Sequence, residues 1–450
     1  METEAGLGSL PSLPGADVTD VPGTERPVPE AGPGLVKRWH AEGGQLVELL
    51  TQVRAGIGGV AAFRLGPNPT VLVTDADAVQ HVLARHPDRY VKRSHRARLL
   101  VGDGVLSASG AAWKRQRRLL QSQFTGPGMR RYDRRITEAA RTTAERWASY
   151  ARTGQTFDVG QEMRRFALDA IWRSLTGHAL DDETERELEA VGVVGAALPT
   201  LPADATDAES AVAADLARID AVALRAIEAA RAGDVGPDGP GLLHVLIDAA
   251  ERPEYTDRLI RDELVTLLTA GHETTATTLS WLYLLLDRHP AAREQALAAG
   301  QEGSAHSREA VRALVHETLR LYPSAWLLAR HAAEDDTLAG YTVKAGTDVM
   351  VCPYLTHRDP ELWADPERFD PWRFTTPNGR PSHAGAYYPF GIGPRACLGL
   401  QFALRESTVL LERLLPAHTP VFAALPEKTQ YGITVRPDGP MPATLRPSRP

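Results

Sequence analysis

Cysteine is nearly absent from this chain: its 450 residues include two, Cys352 and Cys397. Two cysteines cannot build the disulfide framework of a small secreted domain, and a reducing cytoplasm is the compartment this usage predicts. Also missing is an apolar run of membrane length, because His272 and Glu273 interrupt the most hydrophobic stretch. The opening residues are rich in Pro, Gly and acids, with neither a cationic start nor an apolar segment, so no signal peptide and no membrane anchor are expected. Positive charge is in short supply: 50 Lys and Arg face 57 Asp and Glu, for a net charge of -7. That balance argues against nucleic acid as a partner of the whole molecule, since phosphate binding needs a basic footprint. There is one local exception. Between Trp113 and Arg135 lie Lys114, Arg115, Arg117, Arg118, Arg130, Arg131, Arg134 and Arg135, against the single acid Asp133. No internal repeat is present.

What the chain does have is apolar content for a sizeable core, 43% of its residues. The order of elements reads as mainly α with small β-sheets, behind a flexible Pro- and Gly-rich tail over residues 1–35. Val60 to Leu65 and Thr70 to Val73, separated by Gly66-Pro67-Asn68-Pro69, read as a hairpin. Asp75 then caps a helix running to about Arg85. Helical patterns dominate from Ala111 to Gly233, with breaks at Gly126-Pro127-Gly128, at Gly154 and at Leu198-Pro199-Thr200-Leu201-Pro202. The last break reads as a flexible apolar lid between helices. Asp257 to Arg288 is the longest helical pattern, ended by Pro290, and its apolar runs predict burial of much of its surface. A short helix ends near Gly300 and another spans Ser307 to Leu321. Tyr341 to Val343 and Asp348 to Val351, on either side of Lys344-Ala345-Gly346-Thr347, read as a second hairpin.

The most informative segment is Phe390-Gly391-Ile392-Gly393-Pro394-Arg395-Ala396-Cys397-Leu398-Gly399, just before a helical stretch from Leu400 to Leu415. A thiolate that binds haem iron must be deprotonated, held rigidly and shielded. Gly391 and Gly393 permit a tight turn and a close approach to a flat macrocycle. Phe390 can wall the sulfur off from water, and the N–H groups opening the next helix favour its negative charge. Arg395 is a cation suited to a haem propionate. An isolated cysteine is most often a small buried hydrophobe, but this setting favours the ligand. Gly391 to Ala396 also mimics a dinucleotide-binding G-x-G-x-x-A, which would need a preceding strand that Pro389, Pro394 and the neighbouring tyrosines argue against.

The decamer matches F-G-x-G-x-R-x-C-x-G, and by it the chain resembles the cytochrome P450 superfamily. The resemblance implies one large domain over residues 36–450, with haem b between a long distal helix and a proximal cysteine loop, and Cys397 as the axial thiolate and metal ligand. Ala270-Gly271-His272-Glu273-Thr274-Thr275 meets the family's distal-helix pattern. Glycine and paired threonines should loosen that turn locally, making a groove for dioxygen and a water. Splitting dioxygen requires protons, for which a hydroxyl backed by a carboxylate, Thr274 and Glu273, is suited. The histidine and glutamate there do not make a zinc-protease motif, because H-E-x-x-H would need histidine at Ala276.

The resemblance extends to Glu317 and Arg320 as the family's E-x-x-R, joined by Arg368 of Asp365-Pro366-Glu367-Arg368-Phe369 in a buried scaffolding network. Trp113 and Arg117 match its W-x-x-x-R, and with Arg330 they would reach the propionates. His331 and His95 are near in sequence, without an assigned role. By the same resemblance the substrate pocket would take in the Leu99 to Leu106 loop, Val194, Leu198, Leu267, Ala270, Ala325, Trp326 and the Gly432-Ile433 turn, an apolar lining. The activity implied is monooxygenation of a lipophilic small molecule, terpenoid, polyketide, fatty acyl or peptide-derived, with O2. Electrons would come from a separate ferredoxin and ferredoxin reductase, steered by Lys114, Arg115 and Arg118. An Ala- and Arg-rich composition suits a high-GC bacterial source and secondary metabolism. Two alternatives stand beside this: haem-thiolate chemistry other than monooxygenation, and a haem protein without turnover.

Overall fold

The computed structural model describes residues 26–92, 96–198, 205–249, 255–300, 303–377 and 379–447. At its centre runs the 32-residue helix Asp257–Arg288. Thr256 starts it by accepting the Leu259 N–H on its hydroxyl at 3.3 Å, and Pro290 prevents its continuation. The helix Val159–Thr176 lies along it. Phe166, Ala167 and Ala170 there share one apolar cluster with Leu279 and Leu282 of the long helix. Gly271 sits where the two helices come together: a Cβ there would lie 2.9 Å from Ile171 Cγ1. The expected loosening of this turn does not take the form of a break, for the α-helix runs through it uninterrupted. Gly271 serves close packing, which holds the turn in place.

The helix Leu400–Ala417 follows the cysteine loop and packs against Pro127–Thr153 and Ala305–Leu321. Ser304 caps the last of these by accepting the Ser307 N–H at 3.1 Å. This cage of helices positions the loop from behind.

The first predicted hairpin is formed, Val60–Phe63 pairing antiparallel with Thr70–Val73. Asp75 caps the next helix through the Ala78 N–H at 2.8 Å. The second hairpin is not formed. Asp348–Val351 instead enters the main sheet, parallel to Thr70–Val73 and antiparallel to the strand Leu328–Ala332. Tyr341–Val343 pairs with Asp336–Leu338 through a two-residue turn in which Ala339 and Gly340 take φ of 50° and 78°. That tight turn gives Tyr341–Val343 a partner close at hand, while Val349 and Val351 gain full burial in the larger sheet.

The fold also takes in residues on the tail side of the boundary placed at 36: Pro27 bridges Thr342, and Glu30 bridges Ala62. Most of the tail, residues 1–25, lies outside the described residues, as do Pro199 to Pro202 of the expected lid and His95. No helix among the described residues is long and apolar enough to cross a membrane.

Candidate haem-thiolate site

The cysteine loop is closed by its own backbone. The Cys397 N–H donates to the Phe390 carbonyl at 2.8 Å, and the Gly391 N–H to the Tyr388 carbonyl at 2.9 Å. Gly391 and Gly393 take φ of 69° and 76°, which side chains rarely adopt. At Gly393 a Cβ would also lie 2.2 Å from the Leu83 carbonyl oxygen. The Cys397 side chain is open on one face and enclosed elsewhere. Burial pushes its thiol pKa up, while the Gly399 N–H and the Arg117 charge pull it down. Cys352, by contrast, is fully buried, its thiol pushed up to about 12 by burial and turned to the Trp326 carbonyl at 3.4 Å. It is a core residue.

Four cations gather near the loop. Arg117 Nη1 donates to the Ala396 carbonyl at 2.7 Å, and Arg395 Nη2 to the Ala108 carbonyl at 3.0 Å. The Arg395 guanidinium lies 4.4 Å from the centre of the Trp113 ring, so Trp113 orients it. Lys92, which the sequence reading missed, donates to the Leu106 carbonyl at 2.8 Å. Burial lowers the Lys92 ammonium to about 7, with Arg330 and Arg395 adding to the effect. Arg330 falls to about 10 through burial and then the charge of Arg395. Among the described residues no carboxylate is seen to act on any of the four. Gathering like charges away from water is unfavourable unless an anion joins them. A ligand with two carboxylates and a thiolate-binding metal fits these residues, and haem b is such a ligand.

On the long helix, the Thr274 hydroxyl donates to the Ala270 carbonyl at 2.9 Å. Glu273, one residue before it, meets Arg436 Nη1 at 3.4 Å through Oε1 and Arg164 Nε at 3.8 Å through Oε2. The Thr275 hydroxyl donates to Glu406 Oε1 at 2.6 Å, joining this helix to the one that follows Cys397. Burial pushes the Glu406 carboxyl well above the usual range, opposed by the Thr275 hydrogen bond. Nothing in the local pattern around Glu406 announces this contact.

Glu317 and Arg320 pair as expected, Arg320 Nε and Nη2 each donating to a Glu317 oxygen at 2.8 Å, with both side chains fully buried. The third member is not Arg368. Arg373 takes that place, its Nε 3.2 Å from Glu317 Oε1. Arg368 is exposed and contributes its carbonyl, which accepts from Arg320 Nη2 at 3.0 Å. Two tandem Pro-x-Arg-Phe segments occur here, at Pro366 and at Pro371. Only the second folds as a tight helical turn, Pro371–Phe374, against the helix carrying Glu317.

Of the expected pocket residues, Val194, Leu198 and Leu267 join Leu100, Val101 and Val105 in one apolar cluster, with Leu99 and Leu106 at its edge. Ala270 is exposed on the long helix and Ala325 half-buried. Trp326 is withdrawn into a different cluster with Leu72, Cys352 and Val435, its indole N–H donating to the Gly432 carbonyl at 2.8 Å. It braces the Gly432-Ile433 turn from behind, and Ile433 itself is 52% exposed. Glu263 was also missed. It is fully buried and holds the Leu99 to Leu106 loop by accepting the Val105 N–H at 3.0 Å, while Asp262 accepts that of Asp103 at 2.8 Å.

A thiol open on one side, a nest of unneutralised cations and a crossing helix with a hydroxyl–carboxylate pair define a haem-thiolate protein. The cytochrome P450 family profile matches residues 22–208 and 237–420. Cyclooctat-9-en-7-ol 5-monooxygenase of Streptomyces melanosporofaciens is 29% identical over 79% of this chain and 81% of its own. Cyclooctatin synthase of the same organism is 30% identical, again over 79% and 81%. Among solved structures, the cytochrome P450DA heme domain superposes with a TM-score of 0.78 at 26% identity, covering 95% of this chain and 99% of that one. The chain belongs to the cytochrome P450 family. It is an oxidoreductase of the monooxygenase class, with haem b held by a cysteine thiolate.

Proposed function

We propose that Cys397 is the thiolate ligand, and that the protein oxidises a lipophilic small molecule with O2 in bacterial secondary metabolism, in the cytoplasm, on electrons from a separate ferredoxin and reductase. The observation that carries this reading is the open Cys397 thiol with Arg117 acting on it, and the linked cations Arg395, Lys92 and Arg330, which no carboxylate among the described residues is seen to neutralise. The haem, when bound, supplies the reductive activation of dioxygen.

The chain's own residues do the rest. The four cations would hold the propionates, and Trp113 orients Arg395 by stacking. Glu317, Arg320 and Arg373 fix the polypeptide below the cysteine loop. The Thr274 hydroxyl, back-bonded to Ala270, holds and passes protons, with Glu273 as their source on the solvent side. The apolar cluster around Leu267, Val194 and Val105 excludes water and favours a lipophilic substrate, in keeping with the alkenol named for one Streptomyces relative. Lys114, Arg115 and Arg118 are exposed and suit an acidic ferredoxin.

An optical titration of the haem-loaded protein with terpenoid, fatty-acid, macrolide and indole-peptide compounds tests the reading. A saturable Soret shift with one class identifies the substrate family; the absence of any haem spectrum overturns the assignment of Cys397. With that substrate, Thr274→Ala should divert electrons from product to peroxide, and retained coupling would remove the threonine from the relay. Arg115→Glu with Arg118→Glu should slow reduction by ferredoxin at low salt, and an unchanged rate would remove the steering role.

A further inference from the structure

We infer that the hairpin formed by Thr429–Tyr431 and Val435–Pro437 is a sensor of the occupied pocket, and that Ser324, Thr278 and Arg436 transmit its position to Thr274 and Glu273. The inference rests on the relay reading of those two residues. The hairpin presents Ile433 at its tip, a large apolar side chain 52% exposed. Behind the tip it is braced: the Trp326 indole N–H donates to the Gly432 carbonyl at 2.8 Å, and that of Trp281 to the Val435 carbonyl at 2.9 Å. A braced hairpin moves as a unit, so an apolar group pressing on Ile433 displaces its strands as well.

Besides the Trp281 brace, which is itself on the long helix, two links lead from the strands to Thr274 and Glu273. The first is a chain of hydrogen bonds. The Val435 N–H donates to the Ser324 carbonyl at 3.2 Å, and the Ser324 hydroxyl donates to the Thr274 carbonyl at 2.9 Å. The Thr278 hydroxyl donates to that same carbonyl at 2.9 Å and lies 3.0 Å from the Ser324 oxygen. Ser324 and Thr278 are each 5% exposed, so water does not compete for these bonds. The peptide following Thr274 is thereby held by a residue that also holds the hairpin.

The second link is electrostatic. Arg436 is fixed within the hairpin by donating through Nε to Gln430 Oε1 at 2.7 Å, and its Nη1 reaches Glu273 Oε1 at 3.4 Å. Arg164, on the helix alongside, lies 3.8 Å from the other carboxylate oxygen. Glu273 is therefore suspended between the hairpin and a fixed helix, and a shift of the hairpin redistributes it between two arginines. One member of the relay is reached through its backbone and the other through its side chain. Ser324, Thr278 and Arg436 are positioning residues in this account, since none of them needs to touch substrate or oxygen.

Hydrogen exchange of the haem-loaded protein reads the coupling without turnover. Ile433→Gly loosens the tip and lies outside both links. In the wild-type background it should speed exchange of the amides at residues 274–278 along with those of the hairpin, by roughly fivefold, the factor given by one net hydrogen bond. Exchange in Ala305–Leu321 serves as the reference. In a Ser324→Ala, Arg436→Gln background the same substitution should speed the hairpin alone. The inference is overturned if residues 274–278 ignore Ile433→Gly with both links intact. It is equally overturned if they follow it after both are cut, for coupling then runs through Trp281. Should Ser324→Ala fail to load haem, Ser324→Cys weakens the same link, because a thiol is a poor donor to the Thr274 carbonyl. Failure of the relay itself shows separately, as retained coupling in Thr274→Ala.

Discussion

Arg373 Nε stands 3.2 Å from Glu317 Oε1 in a site where both side chains are nearly or wholly buried, while Arg368 points to solvent. Arg373→Ala should therefore cost about 3 kcal/mol or more, because it leaves a buried carboxylate with one arginine instead of two. Arg368→Ala should stay within about 0.5 kcal/mol, since its carbonyl remains to accept from Arg320. Denaturant unfolding of the two variants, with haem content measured alongside, separates these expectations; equal costs would return Arg368 to the network.

The two cysteines have opposite environments, one open on a glycine turn and one sealed in the core. Cys397→Ser should abolish the thiolate character of the ferrous carbon monoxide spectrum. Cys352→Ser should keep that spectrum and lose only some stability through a buried hydroxyl. A spectrum insensitive to Cys397→Ser would exclude that residue as ligand.

The cations around the loop repel one another until an anion arrives. Lys92→Met should remove one charge-assisted contact, worth about 1.5–3 kcal/mol, and speed haem loss to a scavenger protein by roughly tenfold to a hundredfold. The protein without haem should lose little, because the ammonium is already lowered to about 7 by burial and its neighbours. Haem release at the wild-type rate would show that Lys92 does not reach a propionate.

Burial pushes the Glu263 carboxyl up to about 7, with Asp262 adding to it and the Val105 N–H opposing. The folded value lies above the unfolded one, so the group's favourable contribution is complete below the ordinary carboxylate range and is lost as pH rises through about 7. Glu263→Gln keeps an acceptor for Val105 and removes the charge. Relative to this variant, the wild type should lose up to about 3 kcal/mol between about pH 5 and pH 8. Unfolding curves measured across that range check the difference, and parallel pH profiles would mean the carboxylate is solvated.

Much of the fold and site was legible along the chain. The stop at Pro290 bounds the long helix, whose observed span of Asp257–Arg288 matches its pattern. The glycines of the cysteine loop state their backbone conformations, and Glu317 with Arg320 meets across a single helical turn. These features are local: propensity, capping and spacing act within a few residues, so the sequence alone determined them.

Other choices required the assembled molecule. The tandem Pro-x-Arg-Phe segments carry the same arginine signal, and packing of Pro371–Phe374 on the helix of Glu317 selected the second. The strand Asp348–Val351 left its sequence neighbour because the larger sheet offered it a partner on both edges and burial of Val349 and Val351. Lys92 and Arg330 became part of a site when chain segments far apart in sequence brought their charges together, and Ser324 acquired Thr274 as a partner in the same way. Residue type decides what a group can donate, accept or ionise; which distant group it meets, and whether water is present when it does, is decided only by tertiary packing.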